Sequence, residues 1–184
     1  MSVGWKQRLA RSLHINRSHA DARYLQLATV DASGHPHNRT VVFRGFSDAD
    51  PLTLLTVTDT RSEKVAHTIG DARVSVAWYF RKSREQYRLN GQAVLRTERD
   101  GGADVLTVWQ SLSPTAREQF YWPTPKAPLS DAAPVHDDGA VSPHFAVLAI
   151  VPDYVEYLAL RPTPQCREIY MRTHAGWSSE AVNP

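Results

Sequence analysis

Short runs of β-branched and aromatic residues, each closed by a turn signal, recur along most of this chain. Tyr24-Leu-Gln-Leu-Ala-Thr-Val30, Arg39–Phe46, Leu52–Val57 and Arg73-Val-Ser-Val-Ala-Trp-Tyr-Phe80 come first. Arg84–Arg96, Phe145–Val151, Tyr154–Leu160 and Arg167–Arg172 follow. Such residues suit a pleated, half-buried surface. Asp31-Ala-Ser-Gly34 and Asp48-Ala-Asp-Pro51 read as turns between them, and Gly91 as a bulge in a long strand. Many short strands with few helices predict a mainly β fold, a β-barrel with peripheral helices.

The helical patterns are few. Trp5, Leu9, Ala10 and Leu13 make an apolar stripe over about 3–15. Thr60-Arg-Ser-Glu63 reads as a capping box that opens a short helix, which runs to about Ile69 and stops at Gly70. Ala103–Ser111 and Pro114–Gln119 read as two further helical pieces. Residues 123–143 hold five prolines, from Pro123 to Pro143, and read as a long loop. Loops of that length without secondary structure are usually functional or mobile.

Composition narrows the function classes. At 184 residues the chain reads as one domain spanning 1–184. Its net charge of +2 gives no global field to recruit nucleic acid or a membrane surface. No run of 18 apolar residues is present, and no signal-peptide core is seen, so a cytoplasmic location is expected. Cys166 is the lone cysteine, which rules out an internal disulfide. The histidines show no metal-ligand spacing, and no metal is expected.

Three cationic patches interrupt the strand runs: Arg39-Thr-Val-Val-Phe-Arg44, Arg61-Ser-Glu-Lys64 and Arg84-Glu-Gln-Tyr-Arg88. Charge is costly to bury without a partner, so the three together suggest one shared anion, with phosphate the obvious candidate. Lys64 falls in the first turn of its helix, where a cation opposes the macrodipole unless a bound phosphate reverses the effect. On a strand, Arg84, Gln86 and Arg88 share one face. That row is either a solvated outer face or a polar platform for a planar ring. Each patch taken alone is explained at least as well by exposure to solvent.

The order and spacing of these residues resemble the FMN-binding split-barrel proteins related to pyridoxamine 5′-phosphate oxidase. The resemblance runs over Tyr24–Gln92 and from Phe145 to the C-terminus. Ala28-Thr-Val-Asp31, Gly34-His-Pro36, Arg39-Thr-Val-Val42, Thr58–Lys64, Arg73-Val-Ser75, Gln86, Gly91, Val151–Glu156 and Arg167 carry it. It implies an FMN-binding split barrel. Arg39 and Lys64, with Arg61 and Ser62, would hold the FMN phosphate. The strand through Thr40, Val41, Val42 and Arg44 would run along the flavin, and Thr58 would touch the flavin or ribityl chain. Gln86, on the strand face it shares with Arg88, would bond the ring. Arg167 would approach from a second subunit, because members of the family are homodimers with FMN at the interface.

The substrate positions depart from the oxidase pattern. Where the oxidase grips its substrate phosphate, this chain has Val108, Leu112 and Ala116. Thr163 and Gln165 stand where an Arg and a His are expected, Leu158 where a Trp lies over the flavin, and Arg44 in place of a Lys. The reading is therefore a flavin-dependent oxidoreductase of unknown small-molecule substrate. The alternatives are a non-catalytic FMN carrier and, less favoured, a true pyridoxamine 5′-phosphate oxidase. No side chain stands out as a general base, which suits chemistry centred on the cofactor.

Overall fold

A computed structural model describes residues 4–100, 102–129 and 139–184. Nine strands among them form one antiparallel sheet: β1 Tyr24–Val30, β2 Pro36–Val42, β3 Gly45–Phe46, β4 Leu54–Asp59, β5 Arg73–Phe80, β6 Glu85–Arg96, β7 Phe145–Ala159, β8 Cys166–Thr173 and β9 Gly176–Val182. The strand order is β2-β1-β5-β6-β7-β4-β3, with β8 and β9 attached to β7. One edge of β7 serves two partners, since Phe145–Ile150 pairs with β4 and Tyr154–Ala159 with β8. The helices are α1 Gly4–Asn16, α2 Glu63–Gly70, α3 Ala103–Ser111 and α4 Pro114–Glu118. No helix among the described residues is long and apolar enough to cross a membrane.

Alternation along the strands builds the main core. β5 buries Val74, Val76, Trp78 and Phe80 while the residues between them stay exposed. These side chains meet Leu25, Leu27, Tyr87, Leu89 and Val155 inside the curled sheet. Trp5 and Leu9 of α1 close this core. The α1 stripe differs from expectation, because Ala10 is exposed and the buried row continues through Ser12 and Asn16. Both polar side chains are satisfied. Ser12 Oγ donates to Glu85 Oε2 at 2.7 Å, and Lys82 N donates to Asn16 Oδ1 at 2.9 Å. A second core lies on the other side of β4 and β7, where Val105, Val108, Trp109 and Leu112 of α3 meet Phe120, Phe145 and Val147. The first half of β7 is buried on both faces, which explains its unbroken apolar run.

Four local expectations are revised. The expected strand Arg39–Phe46 begins earlier, at Pro36, and β2 ends at Val42. Arg44 N then bonds Leu55 O, and Gly45 turns the chain at a φ of 143°, a conformation that favours glycine. The two expected strands at 145–151 and 154–160 are one strand, β7. It passes Pro152 with one extra residue, Asp153, opposite the Asn90/Gly91 step of β6. A Cβ on Gly91 would lie 2.1 Å from Val151 O, so only glycine lets the two backbones approach there. The α2 cap is Ser62 rather than Thr60, and the Ser62 hydroxyl donates to Asp59 O at 2.7 Å in place of a helix amide. β9 was not expected at all, and its side chains are mostly exposed. The centre of the expected 123–143 loop, residues 130–138, lies outside the described residues.

Candidate cofactor site

β2 ends the path of the sheet, so one of its edges lacks a strand partner. Backbone N–H and C=O groups on such an edge are open to other partners. A cavity of about 490 Å³ lies beside it. Its walls are Arg39, Thr40, Val41, Val42 and Arg44 on one side and Val57, Thr58 and Asp59 of β4 on the other. Ser62 and Lys64 at the start of α2 close one end, and Gln119, Phe120, Trp122, Pro123 and Pro125 cover it. The cover begins with the described part of the proline-rich loop, in the same chain.

Cations dominate the electrostatics. Lys64 Nζ donates to Thr58 Oγ1 at 3.2 Å and to Ser62 Oγ at 3.0 Å. Arg39 Nη1 donates to Leu27 O at 3.0 Å and to Thr29 Oγ1 at 2.7 Å. Arg44 Nε is buried and has no hydrogen-bond partner. Among the described residues, none of these three cations lies in an ion pair with a carboxylate. Burial pushes the Lys64 ammonium below its usual range, and the charge of Arg39 adds to that. Burial likewise lowers Arg39 and Arg44. Partly desolvated cations without carboxylate partners, with Arg39 and Lys64 near one another, make the lining of this cavity a site for an anion.

Arg61 stands apart from this group. It does not line the cavity. Its guanidinium holds Asp59 through two bonds, Nε to Oδ1 at 3.0 Å and Nη2 to Oδ2 at 2.6 Å. Nη2 also donates to Trp122 O at 3.1 Å. Arg61 thus neutralises the cavity's one carboxylate and anchors its cover. Asp59 went unnoticed in the sequence, although an Asp two residues before an Arg is a local signal for such a pair.

Gln86, Arg88 and Arg167 do not line this cavity. They occupy a different face of the sheet, on neighbouring strands. Gln86 and Arg167 flank Leu158 of β7, and Arg88 stands opposite Glu156. Glu156 is 7% exposed, with Arg88 Nη1 at 3.5 Å and Arg167 Nε at 3.6 Å. Sequence reasoning missed Glu156, whose place between two arginines depends on strand register. Tyr79, next to Gln86 in the sheet, is 43% exposed.

The departures at α3 have a structural explanation. Val108 and Leu112 are buried in the second core, with Ala116 packed against it. Side chains committed to an apolar core cannot grip a phosphate.

The comparisons with known proteins agree with this geometry. Residues 2–97 match the family model for the pyridoxamine 5′-phosphate oxidase FMN-binding domain. Pyridoxine/pyridoxamine 5′-phosphate oxidase 2 of Arabidopsis thaliana is 31% identical over 192 residues, covering 98% of this chain and 96% of the relative. The crystal structure of a pyridoxamine 5′-phosphate oxidase-related, FMN-binding protein from Nostoc punctiforme PCC 73102 matches with a TM-score of 0.91 and 40% identity, covering 100% of both chains. PhzG from Burkholderia lata 383, solved with tetrahydrophenazine-1-carboxylic acid, matches with a TM-score of 0.76 and 19% identity over 97% of this chain and 90% of its own. At that identity the likeness to PhzG speaks for the fold alone. With its split-barrel fold and its cation-ended cavity on an open strand edge, the chain belongs to the FMN-binding pyridoxamine 5′-phosphate oxidase family, and its cofactor is FMN.

Proposed function

We propose that the protein is an FMN-dependent oxidoreductase acting on a small molecule, working as a homodimer. The observation that carries this reading is the set of cations Arg39, Arg44 and Lys64, unpaired with any carboxylate, in a cavity bounded by an open strand edge. The residues present fit FMN. Lys64, Ser62 and Arg39 would hold its phosphate, and Thr58 would meet the chain that links phosphate to ring. The open edge of β2 offers backbone donors and acceptors that suit the heteroatoms of the ring. Bound FMN supplies the redox chemistry, as acceptor of a hydride.

The protein's own groups bind, orient and shield. Asp59 is the only acid or imidazole among the described lining residues, and both of its carboxylate oxygens are bonded to Arg61. The chain therefore contributes position and positive charge rather than a general base. Phe120, Trp122, Pro123 and Pro125 give the cavity an apolar cover that limits water. Gln86, Arg88 and Arg167 lie away from this cavity, so their contribution would be to the site of a second copy. The exposed Tyr79 of β5 lies beside Gln86 and the exposed Val94 lies on β6 with Gln86 and Arg88, and both would be covered in that pairing.

The apolar commitment of Val108 and Leu112 favours a substrate other than pyridoxamine 5′-phosphate. The test is direct. Purified protein should carry a flavin band near roughly 450 nm, elute as a dimer, and turn over with an electron donor such as NADPH. Bound FMN that no nicotinamide or amine donor reduces would make it a carrier. Pyridoxal 5′-phosphate production at ordinary enzyme rates, on the order of 1 per second, would make it an oxidase of the known type.

A further inference from the structure

The mouth of the barrel near α2 holds a chain of polar side chains that the cofactor site does not itself use. Leu27 and Thr29 of β1 lie opposite Arg39 and His37 of β2 in the sheet register, so all four share one face. That face is apolar at Leu25, Leu27 and Val41 and turns polar at Thr29, His37 and Arg39. α2 covers the polar end and brings His67 onto it. Thr29 is 1% exposed. His67 Nδ1 lies 3.0 Å from Thr29 Oγ1. The His67 ring packs against that of His37 at a tilt of 43°, with centroids 4.6 Å apart, and His37 Nε2 lies 2.9 Å from Asp31 Oδ2.

At the Arg39 end of this chain the hydrogen-bond direction is determined. Arg39 can only donate, so Thr29 Oγ1 accepts from Nη1 at 2.7 Å. The hydroxyl proton must then go elsewhere, and His67 Nδ1 is the acceptor within reach. With Nη1 bound to both Leu27 O and Thr29 Oγ1, the remaining donors of the guanidinium are left for the cavity. A long, flexible arginine is thereby held in one pose by a buried hydroxyl, which is itself in contact with the His67 imidazole.

We propose that Thr29 and His67 are positioning residues for the cofactor phosphate: they orient Arg39 so that its free donors face the cavity. This rests on the reading of Arg39 as a phosphate ligand. The bland alternative is a set of polar groups that merely satisfy one another at the end of the barrel. The two differ in ligand selectivity, because a positioning role touches FMN and spares riboflavin, which lacks the phosphate.

The experiment measures FMN and riboflavin dissociation constants by flavin fluorescence on the full-length protein, with a thermal melt of each variant. Thr29→Val and His67→Leu should each weaken FMN roughly tenfold, the effect of misplacing one hydrogen bond to a charged group, with riboflavin unchanged. Thr29→Ser keeps the hydroxyl, and His67→Asn keeps an acceptor near the place of Nδ1, so both should bind FMN nearly as the native protein does. His67→Leu carries the test if Thr29→Val, at a buried site, does not fold. FMN binding unchanged in the Val and Leu variants, or FMN and riboflavin lost together with a lowered melting temperature, overturns the inference. Arg39→Met separates the two levels. If it weakens FMN while Thr29→Val and His67→Leu do not, only the positioning role fails. If it leaves FMN binding intact, the phosphate reading itself fails.

Discussion

Replacing Lys64 by Met should damage cofactor binding without harming the free protein. The methionine keeps most of the stem and removes the charge. Among the described residues of the free protein, Lys64 bonds to two hydroxyls, and neither is stranded by its loss. Ser62 Oγ keeps Asp59 O at 2.7 Å, Thr58 Oγ1 keeps the same carbonyl at 3.2 Å, and the two hydroxyls lie 3.0 Å apart. What disappears is a desolvated charge next to Arg39. The stability of the free protein should therefore hold within about 1 kcal/mol, a change in melting temperature of about 2–4 °C at this size. With FMN the balance reverses, since a hydrogen bond from a charged donor contributes about 1.5–3 kcal/mol net. The dissociation constant for FMN should rise roughly 10- to 150-fold, while that for riboflavin stays put. Fluorescence titration with both flavins and a melt of the flavin-free protein check this. FMN binding within about threefold of native, beyond the error such a bond allows, would refute the reasoning, as would an equal loss of riboflavin.

Three further outcomes follow from the same structure. Burial and Arg39 hold Lys64 below its ordinary 10.5, so its proton is held less tightly in the folded protein than in the unfolded chain. Charged Lys64 opposes folding of the free protein, and that penalty fades as pH rises through the lowered value toward 10.5. FMN affinity runs the other way and should fall over the same window, which titrations at several alkaline pH values would show and a flat profile would contradict. Gly91→Ala should cost about 3 kcal/mol or more, because the added Cβ would meet backbone at Val151 and Pro152. A melting temperature unchanged in that variant would mean that the β6–β7 approach is looser than described. Trp109→Ala should cost about 3–5 kcal/mol and also weaken FMN, since Trp109 supports Phe120, whose other contacts include the cavity. Intact FMN affinity in a folded Trp109→Ala protein would detach the second core from the site.

Strands that face a core on one side were legible because their signal is local. β5 alternates residue by residue, so its span, Arg73–Phe80, is read directly from the sequence. β9 was not legible, since nearly all its side chains face solvent and no alternation survives. The continuity of β7 was hidden as well, because Pro152 ends a strand by local rules. It is tolerated here because β7 takes up an extra residue, Asp153, beside it and its partner on β6 is the side-chain-free Gly91. The capping box at Thr60 misled for a related reason. The Ser62 hydroxyl donates to Asp59 O and accepts from Lys64 Nζ, and only the positions of these groups in space decide that outcome.

For the site, the amino-acid order by itself suggested one anion shared by cations from separate segments, and its resemblance to the flavoprotein family pointed to the FMN phosphate and to the absence of the residues that grip a substrate phosphate in the oxidase. Residue type and spacing carry that information because they are properties of the chain. The tertiary structure decided which cations converge. Arg39, Arg44 and Lys64 share one cavity, whereas Arg61 is taken up by Asp59, and Gln86, Arg88 and Arg167 lie elsewhere on the sheet. It also brought Thr29 and His67, residues 38 apart in sequence, to within 3.0 Å of each other behind Arg39. The physical reason is that pairing across strands and the packing of a helix over a sheet end depend on register and closure, which no local pattern of residues encodes.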